Sequence, residues 1–253
     1  MRSVEADTAP VIVGAGHAES SWDASAWLQA LPRYEAAHWL AGIGRLVVVS
    51  PHPDDETLGC GGVIAEARRR GVPVQVLSVT DGEACYADDP EWPPGRTRSV
   101  RRAELRTALA TLGVEDDALV TLDIGDGDVA GREDALAATL EPLLAPRDVV
   151  LTTWRFDGHP DHEATARATA RAAKAVGARV VEYPVWAWHW IDPERGDPRL
   201  QGAFACRLSA EAQGAKRDAL AAFASQRARN GGAPILPPRV MARFERDFEV
   251  LLP

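Results

Sequence analysis

The sequence predicts an α/β fold with a mostly parallel sheet, on three observations. Residues 46–49, LVVV, are an apolar run without alternation, as in strands covered on both faces. A helical stretch and a second apolar run at 72–79 follow with short joints, and right-handed crossover makes such strands parallel. Two of the predicted strands run into polar clusters, HPDDE at 52–56 and DGHPDH at 157–162, at the strand ends where open α/β sheets place ligands.

Residues 1–45 precede the first such strand and read as an N-terminal extension. It has a short apolar piece at 11–13, then Trp22, Trp27, Leu31 and Tyr34 at loosely helical spacing, the pattern of an amphipathic segment laid on the outside of a domain. Residues 46–253 read as a single domain, since 253 residues fit one α/β core. A helix is expected over 57–70, with Leu58, Val63, Ile64 and Ala67 inward, a basic last turn and Gly71 as its stop. Residues 84–98 lack periodicity and read as a loop over the sheet edge, a lid for a site. Then come a helix over 101–112, a strand over 119–124 running into the turn at 125–128, a helix over 133–144, a strand over 148–153, a helix over 163–176 closed by Gly177, and a strand over 179–185. YPVWAWHW at 183–190 reads as extended, so that Trp186, Trp188 and Trp190 share a face suited to stacking a sugar or to filling the core. His189 on the other face is placed either in the pocket or in a structural role. A helix over 210–226 and a helical stretch around Phe244 and Phe248 close the chain.

A net charge of -9 argues against a nucleic-acid partner, because phosphate binding draws on surplus Lys and Arg. No apolar run approaches the roughly 18 residues of a membrane span, and MRSVEADTAP has acids where a signal peptide has its basic and apolar regions, so a cytoplasmic protein is expected. A homo-oligomer is compatible with this composition. Cys60, Cys85 and Cys206 are far apart and form no CxxC pair, which excludes a disulfide framework or a thiolate zinc site as the expectation.

Catalytic zinc takes about three protein ligands and leaves a position for water. The two packets offer His52, one of Asp54 and Asp55, and His162 as ligands, with a carboxylate and the His159 imidazole left beside the water. Neighbouring aspartates point apart, so one can bind metal while the other addresses the water. That equipment suits amide hydrolysis: the metal polarises the carbonyl, a carboxylate takes the proton and a protonated histidine steadies the oxyanion. Asp161 can hold one imidazole by its ring N–H. A lone HPDDE is explained equally well as a helix-capping turn; two packets at two strand ends are not explained by packing.

PHPDDE followed about a hundred residues later by HPDH resembles the zinc-dependent deacetylase family of the N-acetylglucosaminyl-phosphatidylinositol de-N-acetylases (PIG-L) and the bacterial LmbE-like enzymes, with further matches in TDGE, RRAELRTALATLG and KRDALAAFASQ. The resemblance implies a Rossmann-like three-layer sandwich, Zn2+ held by His52, Asp55 and His162, Asp54 as general base and His159 as the oxyanion-stabilising residue. It implies a substrate-contacting arginine at Arg101 and a small N-acetylated amino sugar as substrate. Where some members of the mycothiol pathway carry a tyrosine, two residues before the first histidine of HPDH, this chain has Asp157, placed here among the substrate-binding residues with Trp186 and His189. Two other functions fit parts of the pattern. One is an amidase acting on a non-sugar N-acyl substrate; the other is a non-catalytic metal- or nucleotide-binding module, against which stands the absence of a GxGxxG loop after the first strand.

Overall fold

The computed structural model describes residues 12, 14–228 and 232–253. Val11 and Val13, from the apolar piece expected at 11–13, lie outside the described residues. In chain order the elements are α1 (Glu19–Asp23), α2 (Ala26–Gln29), β1 (Arg33–Glu35), α3 (Ala36–Trp39), β2 (Leu46–Ser50), α4 (Asp55–Arg69), β3 (Val74–Ser78), α5 (Pro94–Thr111), β4 (Leu119–Thr121) and α6 (Glu133–Leu140). There follow β5 (Val149–Thr153), α7 (Pro160–Val176), β6 (Arg179–Tyr183), α8 (Ala187–Trp190), β7 (Phe204–Arg207), α9 (Ala210–Ala221), α10 (Ala224–Arg227), α11 (Pro238–Met241) and β8 (Phe248–Leu251).

Five strands form a parallel sheet in the order β4-β3-β2-β5-β6. Leu46 and Val48 of β2 enter one apolar core with Val63 and Ile64 of α4 and Leu105 and Leu109 of α5; Val47 and Val49 enter another with Leu136 of α6 and Ala168 of α7. The helices therefore cover both faces in three layers, and the unalternating run at 46–49 is the sequence trace of that burial. From β2 the chain builds outward through β3 and β4, then returns to β5 on the other side. The carboxyl ends of β2 and β5 thus flank the point where strand order reverses, which is where such sheets open a crevice.

Several local expectations differ from what is observed. The described part of the N-terminal extension is not laid on the outside: Trp22 is fully buried, its indole N–H donates to Trp188 O at 3.0 Å, and Leu28, Leu31 and Leu40 belong to the larger core. The reason is a second sheet, β1-β7-β8, in which β1 pairs parallel with β7 and so ties the extension to the C-terminal third. Phe248 accordingly starts strand β8 instead of ending a helix. The lid loop is shorter than expected, because α5 begins at Pro94. YPVWAWHW is not extended beyond Tyr183. The Asp157 carboxylate accepts the N–H groups of Val185, Trp186 and Ala187 at 2.9–3.0 Å and draws the chain into a turn leading to α8. The three tryptophans consequently diverge: Trp188 packs edge-on against Trp22 at 4.9 Å, Trp190 stacks on Trp154, and Trp186 faces the crevice.

Helix α4 starts two residues earlier than the periodicity indicates and breaks at Cys60 (φ -144°, ψ 20°). A break leaves carbonyls unpaired at the end of the first turn and amides unpaired where the helix resumes. A buried ion pair satisfies both. Lys216 Nζ from α9 donates to Leu58 O at 2.8 Å, and the Glu249 carboxylate from β8 accepts Gly62 N–H at 2.7 Å and Val63 N–H at 2.9 Å. Lys216 and Glu249 meet at 2.7 Å. The cation sits at a helix C-terminus and the anion at an N-terminus, each matching the local dipole. Gly59 belongs to the same device, since a Cβ there would lie 2.0 Å from the Tyr183 ring. The first turn of α4 is thereby fixed as a separate short piece carrying Asp55.

Candidate active site

HPDDE leaves the end of β2 and DGHPDH the end of β5, and because these strands are neighbours the two packets meet. His52 Nδ1 lies 3.2 Å from both Asp55 Oδ2 and His162 Nε2, and Asp55 Oδ2 lies 3.1 Å from His162 Nε2. Such a triangle is close to the roughly 3.3 Å spacing of tetrahedral ligands about 2.0–2.1 Å from zinc. All three residues are buried.

Each imidazole commits its other nitrogen to a carboxylate. His162 Nδ1 is 2.8 Å from Asp157 Oδ2, and His52 Nε2 is 3.1 Å from Asp126 Oδ1 and 3.3 Å from Asp161 Oδ2. In the tautomers that carry the ring proton toward Asp157 on His162 and toward Asp126 and Asp161 on His52, the two nitrogens that face each other present lone pairs. Two lone pairs and a carboxylate oxygen at this separation repel unless a cation stands among them. The surrounding field favours positive charge: burial alone would depress His162, but Asp55 and Asp157 hold it up at about 9. Burial likewise opposes the charge on His52, and Asp126, Asp161 and Asp55 overcome it, leaving that imidazole well above its ordinary value. The donor set therefore fits a divalent cation such as zinc. His52, His159 and Asp161 form a second trio within reach of one point. In this trio Asp161 Oδ2 accepts Gly127 N–H at 2.8 Å and His159 Nδ1 accepts Asp161 N–H at 3.2 Å, while Asp161 Oδ1 has no partner among the described residues.

Asp54 stands beside the triangle in a left-handed backbone conformation (φ 132°), a strained geometry that Asp tolerates better than most residues. Its N–H donates to Glu56 Oε2 at 3.2 Å, and its Oδ2 accepts from Arg101 Nη2 at 3.0 Å. Burial raises its carboxyl, Arg101 lowers it, and the like charges of Asp55 and Glu56 raise it again, to about 7. A carboxylate poised near neutrality is what proton transfer at ordinary pH requires.

His159 caps α7, and because its Nδ1 accepts Asp161 N–H the ring proton is on Nε2. Burial and the charges of His162 and His52 push it down to about 3. That shift favours a neutral ring with one N–H to donate over the protonated imidazole expected from the sequence.

His52, Asp54, Asp55 and His159 border a cavity of about 270 Å3 that is also lined by the apolar Leu236, Val240 and Phe244. Trp186 lines it, as the sequence reading allowed. Asp157 does not: fully buried, it spends both oxygens on His162 and three backbone amides, which leaves neither to face the cavity. His189 is corrected too, since its ring lies against Gly16 with Nδ1 3.4 Å from Arg243 Nη1, behind the cavity wall. Arg101 borders the cavity, yet its Nη atoms are occupied by Asp54, Pro53 O and Gly82 O, which makes orienting Asp54 its first task. Gly82 (φ +62°) is required there, because a Cβ would come within 1.8 Å of the guanidinium.

The sequence reading gave no role to Asp126, Glu56, Lys216 or Glu249. Asp126 had a signal, a turn at the end of a predicted strand in the same sheet; Glu56 acts locally, on Ser50, Thr57 and the Asp54 N–H, and Lys216 and Glu249 act through contacts far apart in sequence.

The family model for PIG-L, described as GlcNAc-PI de-N-acetylase, matches residues 47–173, half of the chain. A 1D-myo-inositol 2-acetamido-2-deoxy-alpha-D-glucopyranoside deacetylase of Mycolicibacterium gilvum (strain PYR-GCK) is 34% identical over 166 residues, 55% of this chain and 57% of that protein. The chain thus spans little more than half the length of the curated relatives it matches. Among solved structures, a triple mutant of a deacetylase of the teicoplanin biosynthetic pathway is 26% identical with a TM-score of 0.57, covering 72% of this chain and 82% of that one. The N,N'-diacetylchitobiose deacetylase of Pyrococcus horikoshii, 18% identical, shares the fold at a TM-score of 0.55 over 73% and 72% of the two chains. With HPDDE and HPDH both inside the matched segment and their side chains converging at one point, the chain belongs to the PIG-L family of de-N-acetylases.

Proposed function

We propose that this protein is a zinc-dependent N-deacetylase of small N-acetylated amino sugars or related glycoconjugates, releasing acetate and the free amine. The observation that carries the reading is the triangle of His52 Nδ1, Asp55 Oδ2 and His162 Nε2 with the Asp54 carboxylate beside it at the border of the cavity. Zinc held by these three residues would polarise the amide carbonyl and lower the pKa of a water. Asp54 takes the proton of the attacking water and returns it to the leaving nitrogen, as one carboxylate near neutrality can do in both directions. Arg101 keeps the Asp54 carboxylate aimed while this happens. His159 donates its Nε2–H to the developing oxyanion, a neutral donor whose direction is set by the bond from Asp161 N–H. Asp157 and the Asp126–Asp161 pair hold the two imidazoles in the tautomers that binding requires. Trp186 offers the sugar an aromatic face.

The test is release of primary amine from a panel of N-acetylated sugars by the zinc-loaded protein, run beside N-acyl amino acids. Faster release from the amino acids would transfer the reading to a non-sugar amidase. No release from either class, with zinc bound, would leave a binding module.

A further inference from the structure

Asp54, which takes the proton in the proposed reaction, sits at φ 132° and ψ -31°, a combination that L-residues avoid. Such a conformation persists only where its surroundings impose it. The Pro53–Asp54 peptide is planar, so bonds at its two edges fix how it is turned. At one edge Pro53 O accepts from Arg101 Nη2 at 2.7 Å; at the other, Asp54 N–H donates to Glu56 Oε2 at 3.2 Å. The following peptide is held as well, since Asp54 O accepts Leu58 N–H at 2.8 Å in the first turn of α4. Asp54 thus stands between two fixed planes, and their relative setting decides where its Cβ, and with it the carboxylate, points.

Glu56 is itself locked in place. It is fully buried and does not border the cavity. Thr57 Oγ1 donates to its Oε1 at 2.6 Å, and Ser50 Oγ, which accepts Glu56 N–H at 3.2 Å, lies 3.1 Å from its Oε2. We propose that Glu56 is a positioning residue for the deacetylation: with Arg101 it clamps the Pro53–Asp54 peptide, and the clamp aims the Asp54 carboxylate at the attacking water. This deepens the deacetylase reading and rests on it. Without the Glu56 acceptor the peptide turns toward an ordinary φ and carries the carboxylate with it. A glutamate that reaches back to the amide before a helix also caps that helix, so stability alone does not test the clamp.

Two replacements separate reach from charge. Glu56→Gln keeps an acceptor oxygen at the Oε2 position with its NH2 group turned to Thr57 Oγ1, whereas Glu56→Asp keeps the charge and is one methylene too short. Amine release is measured from a panel of N-acetylated sugars that includes N-acetylglucosamine, with zinc content and melting midpoint followed in parallel. Glu56→Asp is expected to lose about tenfold or more in kcat with KM within about twofold and zinc unchanged, and Glu56→Gln to stay within about threefold. In an Asp54→Asn background neither replacement should alter the residual turnover by more than about twofold, because no base remains to be aimed. Crystal structures of the zinc-loaded variants read the clamp directly: φ at position 54 stays near 132° in Glu56→Gln and relaxes in Glu56→Asp.

A loss in Glu56→Gln equal to or larger than that in Glu56→Asp, or an unchanged φ in Glu56→Asp, overturns the proposal. Should Glu56→Asp not fold, Thr57→Val, which removes a donor that holds the carboxylate, takes its place; a fall in kcat at constant KM is expected and an unchanged kcat overturns the clamp. The two readings fail separately. Undiminished amine release by Glu56→Asp sinks the clamp alone; no release from any sugar by the unaltered protein, with φ relaxing in Glu56→Asp, sinks the catalytic assignment and leaves the clamp on the backbone.

Discussion

The ion pair at the break in α4 gives a stability prediction whose size can be worked out bond by bond. In Glu249→Ala the Lys216 ammonium stays buried without its partner, and the amides of Gly62 and Val63 lose their acceptor. Breaking a buried pair in this way costs about 3–5 kcal/mol. For a chain of this size each kcal/mol moves the melting midpoint by about 2–4 °C. A fall of roughly 6–20 °C is expected. Lys216→Met is expected near the low end of that range, because Glu249 keeps its two amide donors. The informative variant is the double replacement, Lys216→Met with Glu249→Leu. If the pair served only itself, apolar replacement of both members would be close to neutral. The carboxylate also caps the restarting helix, so two buried amides remain unsatisfied at about 1–3 kcal/mol each. The double variant should therefore lie about 2–6 kcal/mol below the unaltered protein, a smaller loss than the sum of the two single losses. Urea unfolding of the four proteins under one metal concentration measures this, and a double variant as stable as the unaltered protein would refute the capping role of Glu249.

Asp54→Asn, which keeps shape and tolerates a positive φ, should lower turnover by at least about a hundredfold, with bound zinc unchanged by elemental analysis. The same pair of proteins tests the Asp54 carboxyl. A carboxyl raised from 3.8 to about 7 adds stability that is complete below pH 4 and is lost as pH rises through 7, whereas Asn does not titrate. In metal-free protein the stability difference should therefore shift in favour of Asp54→Asn by a few kcal/mol, roughly, between pH 4 and 8; a flat difference would contradict the shift. Asp157→Asn places an NH2 group against donors on His162 or the 185–187 amides, and zinc affinity by competition with a chelator should weaken about 10- to 100-fold. His159→Ala should reduce turnover about a hundredfold at unchanged zinc content; loss of the metal in this variant would show that His159 is a ligand.

The sheet was legible because β2 and β5 are buried on both faces and cannot alternate, and because each ends in ionisable residues that have no use in a core. The convergence of His52, Asp55 and His162 followed from those two strands being neighbours. What could not be read was whatever depends on partners distant in sequence. Nothing near Trp186 signals that Asp157 pulls its backbone into a turn, so the local pattern suggested a strand. The break at Cys60 is invisible to helical periodicity, because the groups that tolerate it arrive from positions 216 and 249. The extension misled for the same reason: its tryptophans are amphipathic in spacing, yet β1 finds its pairing partner in β7, some 170 residues later.

The carboxylate of Asp157 holds the segment at 185–187 through main-chain amides alone. Those bonds are indifferent to which side chains the three positions carry. Val185 and Trp186, which border the cavity, can therefore be exchanged for residues of other shape while the clasp, and through it the orientation of His162, stays in place. One wall of the chamber is in this sense interchangeable lining on a fixed frame, so its shape can change without moving the residues beneath it.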